Sequence, residues 1–359
     1  MKRIFIIISF IILATIKLSA FSKYDLFNAA KNGNVYRIKQ YIRMKVGLNH
    51  KNSRGDTALL LALKNKRIKV AKLLIRAKAN IHVSNNRGET ALILAAEIGA
   101  AYVVRMLIYR RVKIDTKIIS GKRINKFNTT GATALMIACA KNNYKIVRLL
   151  ANARANVNIK TLYGHTPLMV AAYLSNLKSV YILIKKGANV HAKDKYGQTA
   201  FLYSVLNGKF KIMKYLIQKG SKLNVKSRHG FNALMVSAYF GRPKFITYLI
   251  RAGLKINHVD NYGSTALHYA LIKDKIKAAK ILIYHGANVN LKNKRNWTPL
   301  SLAFIKKNYK FAKYLIKKGA RLAKNDKFYH RAFFRSCYKG KLQEVVLLVK
   351  AGADVNIRN

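Results

Sequence analysis

Hydrophobic positions fall in short bursts along most of the chain. From Ala266 to Lys273 the residues are mostly apolar, with a small residue at Ala270. From Ile276 to Tyr284 apolar residues recur at spacings of three and four, as in Ile212, Leu216 and Ile217 elsewhere. These periods predict a pair of short helices. His285-Gly286 ends the second helix, and Ala287-Asn288-Val289-Asn290 opens a polar connector. Thr265 stands at the N-cap of the first helix, where its hydroxyl can accept a backbone N–H. Pro167 and Pro299 occupy the first helical position of equivalent bursts, and Pro243 opens a second helix. A missing N–H costs nothing there.

The pair recurs. Its opening signature is Gly, any residue, Thr, a small residue, then Leu or Phe. It starts at Gly55, Gly88, Gly131, Gly164, Gly197, Gly230 and Gly263, and Asn296 continues it. Starts are 33 residues apart, except for 43 between Gly88 and Gly131. Stepping outward by the same period reaches Ser22 and Tyr329, giving ten repeats from Ser22 to Asn359. The position of Ala270 is small in every repeat (Ala29, Ala62, Ala95, Ala138, Ala171, Ser204, Ser237, Ala303, Ser336), so neighbouring helices can approach. Cys139 and Cys337 follow that position and are expected as two buried, unpaired thiols.

The period and the core Thr265-Ala266-Leu267-His268-Tyr269-Ala270 resemble the ankyrin repeat. The resemblance covers everything after the N-terminal segment. It implies an all-α solenoid of stacked helix–turn–helix repeats with hairpin fingers, used to bind proteins. Three departures stand out. Leu60, Ile93, Met136, Met169, Leu202 and Met235 replace the core His, exchanging a polar network for apolar contact. Lys45, Lys78, Arg111 and Arg154 replace the glycine that follows the second helix from Gly187 onward. If that position is left-handed, each replacement costs about 1 kcal/mol, and the first four repeats should unfold first. The last repeat carries no polar capping helix, so Phe333, Val345 and Leu348 are expected at an apolar end.

The N-terminus reads as a signal peptide over residues 1–20: Lys2 and Arg3, an apolar run from Ile4 to Ile16, and a cleavage site ending at Ala20. The expectation is export to the periplasm or medium; the alternative is an uncleaved membrane anchor. Export changes how the charge is read. The chain has 70 Lys plus Arg against 11 Asp plus Glu, a formal net charge of +59. Coding bias accounts for part of the Lys, Ile, Asn and Tyr excess but not for the scarcity of acids. Such a charge implies an anionic partner or surface, or adhesion to one.

Catalytic and metal-binding strings are missing: no phosphate-binding loop, zinc-protease helix or nucleophile elbow occurs. His50, His82, His191 and His258 recur at the connector in different repeats and read as connector polars. No cofactor, enzyme activity or small-molecule substrate is expected. Asn128-Thr129-Thr130 and Asn296-Trp297-Thr298 match the glycosylation sequon, which matters only in a eukaryotic secretory pathway.

Two surfaces carry candidate binding residues. The second helices bear Lys69, Lys145, Lys178, Lys211, Lys244, Lys277 and Lys310 in one row, and Lys72, Arg148, Lys214, Lys280 and Lys313 three residues on. Those spacings share one helix face, which the resemblance places on the convex back. Either it is a solvated cationic face or it docks on phospholipid, an envelope polymer or extracellular nucleic acid. Export disfavours cytoplasmic nucleic acid. Aromatics on that face are few (Tyr36, Tyr102, Tyr109, Tyr181, Tyr284), so base stacking fits poorly. The resemblance assigns protein partners to the fingers and first helices, where Tyr163, Tyr173, Tyr196, His229, Phe231, Tyr239, Tyr262, Trp297 and Phe328 fall. They are either anchors for a partner or packing between fingers. The ten extra residues lie within 115–130 and add Lys117, Lys122, Arg123 and Lys126 to one finger. An insertion at an exposed tip should be removable with little loss of stability; the alternative, from its mix of these cations with Ile118 and Ile119, is a special contact with a partner.

Overall fold

The computed structural model describes residues 22–45, 47–121, 123–124, 127–174, 177–322, 327–353 and 355; for 123, 124, 327 and 328 it describes the backbone alone. The signal segment, Lys122 and Lys126, and the side chains of Arg123 and Phe328, lie outside the described residues. Twenty helices and one short hairpin make up the regular structure among the described residues. They divide into an N-terminal body up to Asp194 and a C-terminal body from Lys195.

The N-terminal body holds five helix pairs: α1 (Lys23–Asn32) and α2 (Val35–Arg43), α3 (Ala58–Lys64) and α4 (Ile68–Arg76), α5 (Ala91–Glu97) and α6 (Ala101–Tyr109), α7 (Ala134–Ala140) and α8 (Tyr144–Asn152), and α9 (Pro167–Leu174) and α10 (Leu177–Lys185). Strands β1 (Arg123–Ile124) and β2 (Phe127–Asn128) pair antiparallel inside the insertion. Odd-numbered helices stack on one another in one layer and even-numbered helices in a second.

The C-terminal body repeats the plan: α11 (Ala200–Leu206) and α12 (Phe210–Gln218), α13 (Ala233–Tyr239) and α14 (Pro243–Arg251), α15 (Ala266–Ile272) and α16 (Ile276–Tyr284), α17 (Pro299–Ile305) and α18 (Tyr309–Lys317), and α19 (Lys327–Tyr338) and α20 (Leu342–Lys350). Helix α16 has the bounds that the spacing predicts, and α15 ends one residue earlier.

Local chemistry explains the elements. Thr57, Thr90, Thr199, Thr265 and Thr298 each accept the N–H three residues on, and Asn232 does so where Thr is absent. The small-residue row is buried throughout. Its three serines are satisfied by turning their hydroxyls back onto carbonyls of their own helices: Ser204 to Phe201, Ser237 to Ala233 and Ser336 to Ala332. The apolar replacements of the core His, from Leu60 to Met235, are buried too.

Two expectations fail at the last pair. Cys139 is buried, and burial raises its thiol pKa well above the ordinary range. Cys337 is exposed, because no described helix follows α20 to cover that face of α19. The expected apolar end is composed differently as well: Leu348 is buried and Phe333 and Val345 are half-buried. The exposed apolar residues are Leu342, Val346 and Val349, at helical spacing along α20.

Candidate functional site

The described fingers turn on a short polar side chain three residues before the residue that opens the repeat, as at Gly88, Gly263 and Asn296. Asn85 Oδ1 accepts the N–H groups of Arg87 and Glu89 at 3.0 and 2.9 Å. Asp260 Oδ1 accepts those of Tyr262 and Ser264 at 2.9 and 2.8 Å. Asn293 Oδ1 accepts those of Arg295 and Trp297 at 2.9 and 3.0 Å. Adjacent fingers are then joined by backbone. In the C-terminal body, the carbonyls of Tyr196, His229 and Tyr262 accept the N–H groups of Arg228, Asn261 and Lys294 at 2.8, 3.1 and 2.9 Å. In the N-terminal body, Arg54, Arg87 and Thr130 do the same for Asn86, Ile119 and Leu162. The opening glycine is needed twice over. Gly230 has φ +80°, and a Cβ there would lie 2.8 Å from the backbone nitrogen of Asn261 in the next finger.

This ladder fixes the aromatic row. Tyr196 and Tyr262 keep 50% and 54% of their surface exposed while their backbones are pinned. His229 is also exposed and stacks on Tyr262, with ring centroids 6.4 Å apart. Arg228, Lys294 and Arg295 flank the row, all exposed. Of the other expected anchors, Tyr163, Tyr173, Phe231, Tyr239 and Trp297 are half-buried and hold the fold, and the Phe328 side chain lies outside the described residues. Phe231 packs on Tyr269 at 5.0 Å, and Tyr239 lies between Tyr269 at 6.3 Å and Phe240 at 5.1 Å, with Lys273 Nζ 4.7 Å from its ring. The Arg295 guanidinium lies 5.2 Å from the Trp297 ring. Tyr163 lies 6.2 Å from His165, and Tyr173 meets Phe127 edge-on at 5.5 Å.

Beneath the fingers the two bodies use different chemistry. In the N-terminal body, Lys64 Nζ lies 2.8 Å from Asp56 and 3.0 Å from Glu89, and Asn85 Nδ2 donates to both acids. In the C-terminal body, Thr265 and His268 form a capping box, and His268 Nε2 lies 2.9 Å from the Trp297 carbonyl oxygen. Tyr269 donates to Asp260 at 2.5 Å. Burial lowers the His268 pKa, opposed by the Trp297 carbonyl and Asp260; burial and then the Asp260 bond raise that of Tyr269.

The acids are spent inside. Asp56, Glu89, Asp194, Asp260 and Glu344 are buried, and among the described residues Asp274 is the one exposed acid. The outer-helix cations point the other way. Lys69, Lys145, Arg148, Lys178, Lys211, Lys214, Lys244, Lys277, Lys280, Lys310 and Lys313 are exposed, and Lys72 is half-buried. Tyrosines of neighbouring repeats interleave with them: Lys72 over Tyr102 at 4.2 Å, Lys178 over Tyr144 at 4.8 Å, and Lys214 over Tyr248 and Lys280 over Tyr314, both at 5.6 Å. Sequence reasoning missed Tyr144, Tyr248 and Tyr314. Their signal was a Lys–Tyr spacing of 34 residues, one repeat plus one, at 144/178, 214/248 and 280/314.

The insertion is not a bare tip. Lys117 is exposed, but Ile118 is buried, and Phe127 is 3% exposed between His165 at 4.8 Å and Tyr173 at 5.5 Å. Both rings meet it edge-on, an arrangement that adds to its burial. The expectation that it can be removed freely does not fit this packing. Among the described residues, no three His, Cys, Asp or Glu side chains come together as metal ligands, and no helix is long and apolar enough to cross a membrane.

The family model described as ankyrin repeats (3 copies) matches residues 26–118, 116–194, 186–260 and 226–293. A comparison with curated proteins returns no match. Ankyrin repeats indicate a protein-interaction scaffold, and proteins built from them are in general not enzymes. With most of its length matched and its helix pairs stacked in register, the chain belongs to the ankyrin-repeat family.

Proposed function

We propose that this chain is a non-catalytic scaffold acting outside the cytoplasm, and that it holds an acidic protein surface on the fingers of its C-terminal body. The observation that carries this reading is the pinned row Tyr196, His229 and Tyr262, exposed and flanked by cations. A rigid aromatic loses little conformational entropy on binding, and flanking cations select an acidic partner. The test is capture from envelope and secreted fractions at low and high salt. A protein retained at high salt by the native chain and lost by a Tyr196→Ser/Tyr262→Ser variant supports the reading. Equal retention by both chains sinks it. The extracytoplasmic part rests on Lys2, Arg3, the run from Ile4 to Ile16 and the site after Ala20. N-terminal sequencing of the fractionated protein should begin at Phe21. A cytoplasmic chain that retains Met1 overturns it.

A second reading is favoured by a different observation. With five of the nine described acids buried and three half-buried, the outer-helix cations face solvent with no exposed acid on the described outer helices. That face suits a polyanion or an anionic envelope surface, with attachment that weakens steeply as salt is added.

A further inference from the structure

The outer face of the N-terminal body contains a groove of about 850 Å³ between α8 and α10. That volume lies within the usual range for organic ligands and far exceeds what one phosphate ion fills. Its cations are Arg148, Lys178, Lys185 and Lys186, and no acid lines it. Its remaining walls are largely apolar, with Tyr144 from α8 and Leu177, Tyr181 and Ile182 from α10. The groove therefore offers an anion site and an apolar surface together. Lys178 Nζ lies 4.8 Å from the Tyr144 ring. This occupies the face on which a nucleobase would stack, which argues against nucleic acid.

The surroundings point to a membrane surface. Four tyrosines of the outer helices in this body are exposed: Tyr36, Tyr102, Tyr109 and Tyr181, with Tyr109 at 88%. Two of them are on α6, which packs on α8 beside the groove. Tyr215, Tyr248, Tyr309 and Tyr314 on the outer helices of the C-terminal body are half-buried; Tyr284 is exposed there. Exposed tyrosines among lysines suit the headgroup layer, where the ring meets the acyl boundary and the hydroxyl stays wet. Anionic lipid also attracts basic surface segments.

We infer that the groove between α8 and α10 seats the phosphate headgroup of an anionic lipid, with the outer helices of the N-terminal body lying on the membrane surface. This rests on the second reading above and gives it a location and a ligand. Arg148, Lys185 and Lys186 hold the phosphate oxygens, Arg148 through its planar fork. Leu177, Ile182 and Tyr181 meet the glycerol and the first acyl carbons.

The test is flotation of the full chain with phosphatidylcholine vesicles that contain or lack phosphatidylglycerol. Two variants of equal charge change are compared after circular dichroism shows both folded: Arg148→Gln/Lys185→Gln/Lys186→Gln in the groove, and Lys211→Gln/Lys277→Gln/Lys310→Gln in the C-terminal body. The expected result is binding only to the anionic vesicles, weakened about tenfold by the groove variant and less than twofold by the other. A Tyr181→Trp/Trp297→Phe chain should be quenched by lipids brominated near the headgroup. Equal weakening by both variants overturns the groove and leaves the polyanion reading standing. Displacement by millimolar glycerol phosphate as effective as by lipid overturns the membrane assignment, because the site then takes free phosphoesters. Failure to bind either vesicles or a soluble polyanion at low salt overturns the underlying reading as well.

Discussion

After the second helix of each repeat, the chain turns through a residue with positive φ. In the N-terminal body four of these residues carry side chains: Lys45, Lys78, Arg111 and Arg154, at φ 51, 59, 55 and 62°. Gly187 is the fifth. In the C-terminal body Gly220, Gly253, Gly286, Gly319 and Gly352 fill every such turn, at φ 84 to 93°. The second helices that precede these turns are nine residues long in both bodies and stack in the same layer, so the turn conformation is imposed by the stack and not chosen by the residue. Where the residue is Lys or Arg, the left-handed backbone is strained by its own Cβ. The finger bases differ in the same direction. Lys64, Asp56 and Glu89 take three charges largely out of water in the N-terminal body, whereas the C-terminal body buries one carboxylate, Asp260, within hydrogen bonds from Tyr269 and two backbone N–H groups, beside the neutral His268–Trp297 contact. Removing charges from water offsets much of the gain from pairing them. Both differences make the N-terminal body the one that opens first.

The strongest way to break this comparison is to relieve the strain. Lys45→Gly, Lys78→Gly, Arg111→Gly and Arg154→Gly should each stabilise by about 1 kcal/mol. They lie in separate repeats, so together they should contribute about 4 kcal/mol. The reverse change is equally clean. A Cβ added at Gly253 or Gly286 meets no atom within 4 Å, so Gly253→Lys should cost about 1 kcal/mol from the backbone alone. Native-state hydrogen exchange reads both. In the native chain the N-terminal helices should exchange faster, and the fourfold variant should narrow or invert that order. Slower exchange in the N-terminal body of the native chain would contradict the comparison.

The insertion is the next largest effect. Phe127→Ala should cost about 3 kcal/mol, the usual penalty for emptying a buried aromatic site, and its loss should be confined to the N-terminal body in a denaturant titration. A loss under 1 kcal/mol would return the insertion to the status of a dispensable tip. This region also shows where the sequence was and was not legible. The 33-residue register located the helices, since Thr caps, prolines and the small-residue row each have a local cause. It also located the extra residues. It did not show that Phe127 turns inward, because that depends on His165 and Tyr173 of the following repeat, 38 and 46 residues away. Cys337 was misjudged for a related reason: its position is buried only where a further helix stacks on it. The stripe of cations was readable from spacings of three and four. Of the tyrosines threaded through it, Tyr102 was readable on that face, but Tyr144, Tyr248 and Tyr314 were missed, because each pairs with a lysine of the adjacent repeat and shows only as a 34-residue spacing.

A smaller test concerns the finger base in the C-terminal body. Asp260 accepts two backbone N–H groups and the Tyr269 hydroxyl. Asp260→Ala leaves all three without that partner in a buried site and should cost about 2 kcal/mol. Ser227 occupies the same position one repeat earlier, where its hydroxyl accepts the Phe231 N–H at 3.2 Å. Ser227→Ala should cost about 1 kcal/mol. Equal losses in thermal unfolding would mean that the Tyr269 contact contributes nothing.

The smallest effect distinguishes the two bodies by pH. His268 is fully buried, its Nδ1 accepts the Thr265 N–H at 3.1 Å, and its Nε2 faces the Trp297 carbonyl. That arrangement assigns the neutral ring with its proton on Nε2. Burial holds the native pKa below the ordinary value of 6.5. As pH falls through about 6.5, the unfolded chain takes up a proton that the native ring refuses. Stability contributed by neutral His268 is therefore complete above that pH, declines as pH drops toward the native pKa, and is lost below it. The slope cannot exceed one proton, about 1.4 kcal/mol per pH unit. Protonation of Nδ1 would also place two hydrogens face to face at the Thr265 cap. Leu60 and Leu202 occupy the equivalent position in other repeats, so His268→Leu should fold while removing the titration. The native chain should lose more stability than this variant between pH 7 and pH 5, with the excess confined to the C-terminal body. Parallel pH profiles would show that the native ring takes up its proton as readily as the unfolded chain does, its charge accommodated in place, and would remove the pH contrast between the two bodies.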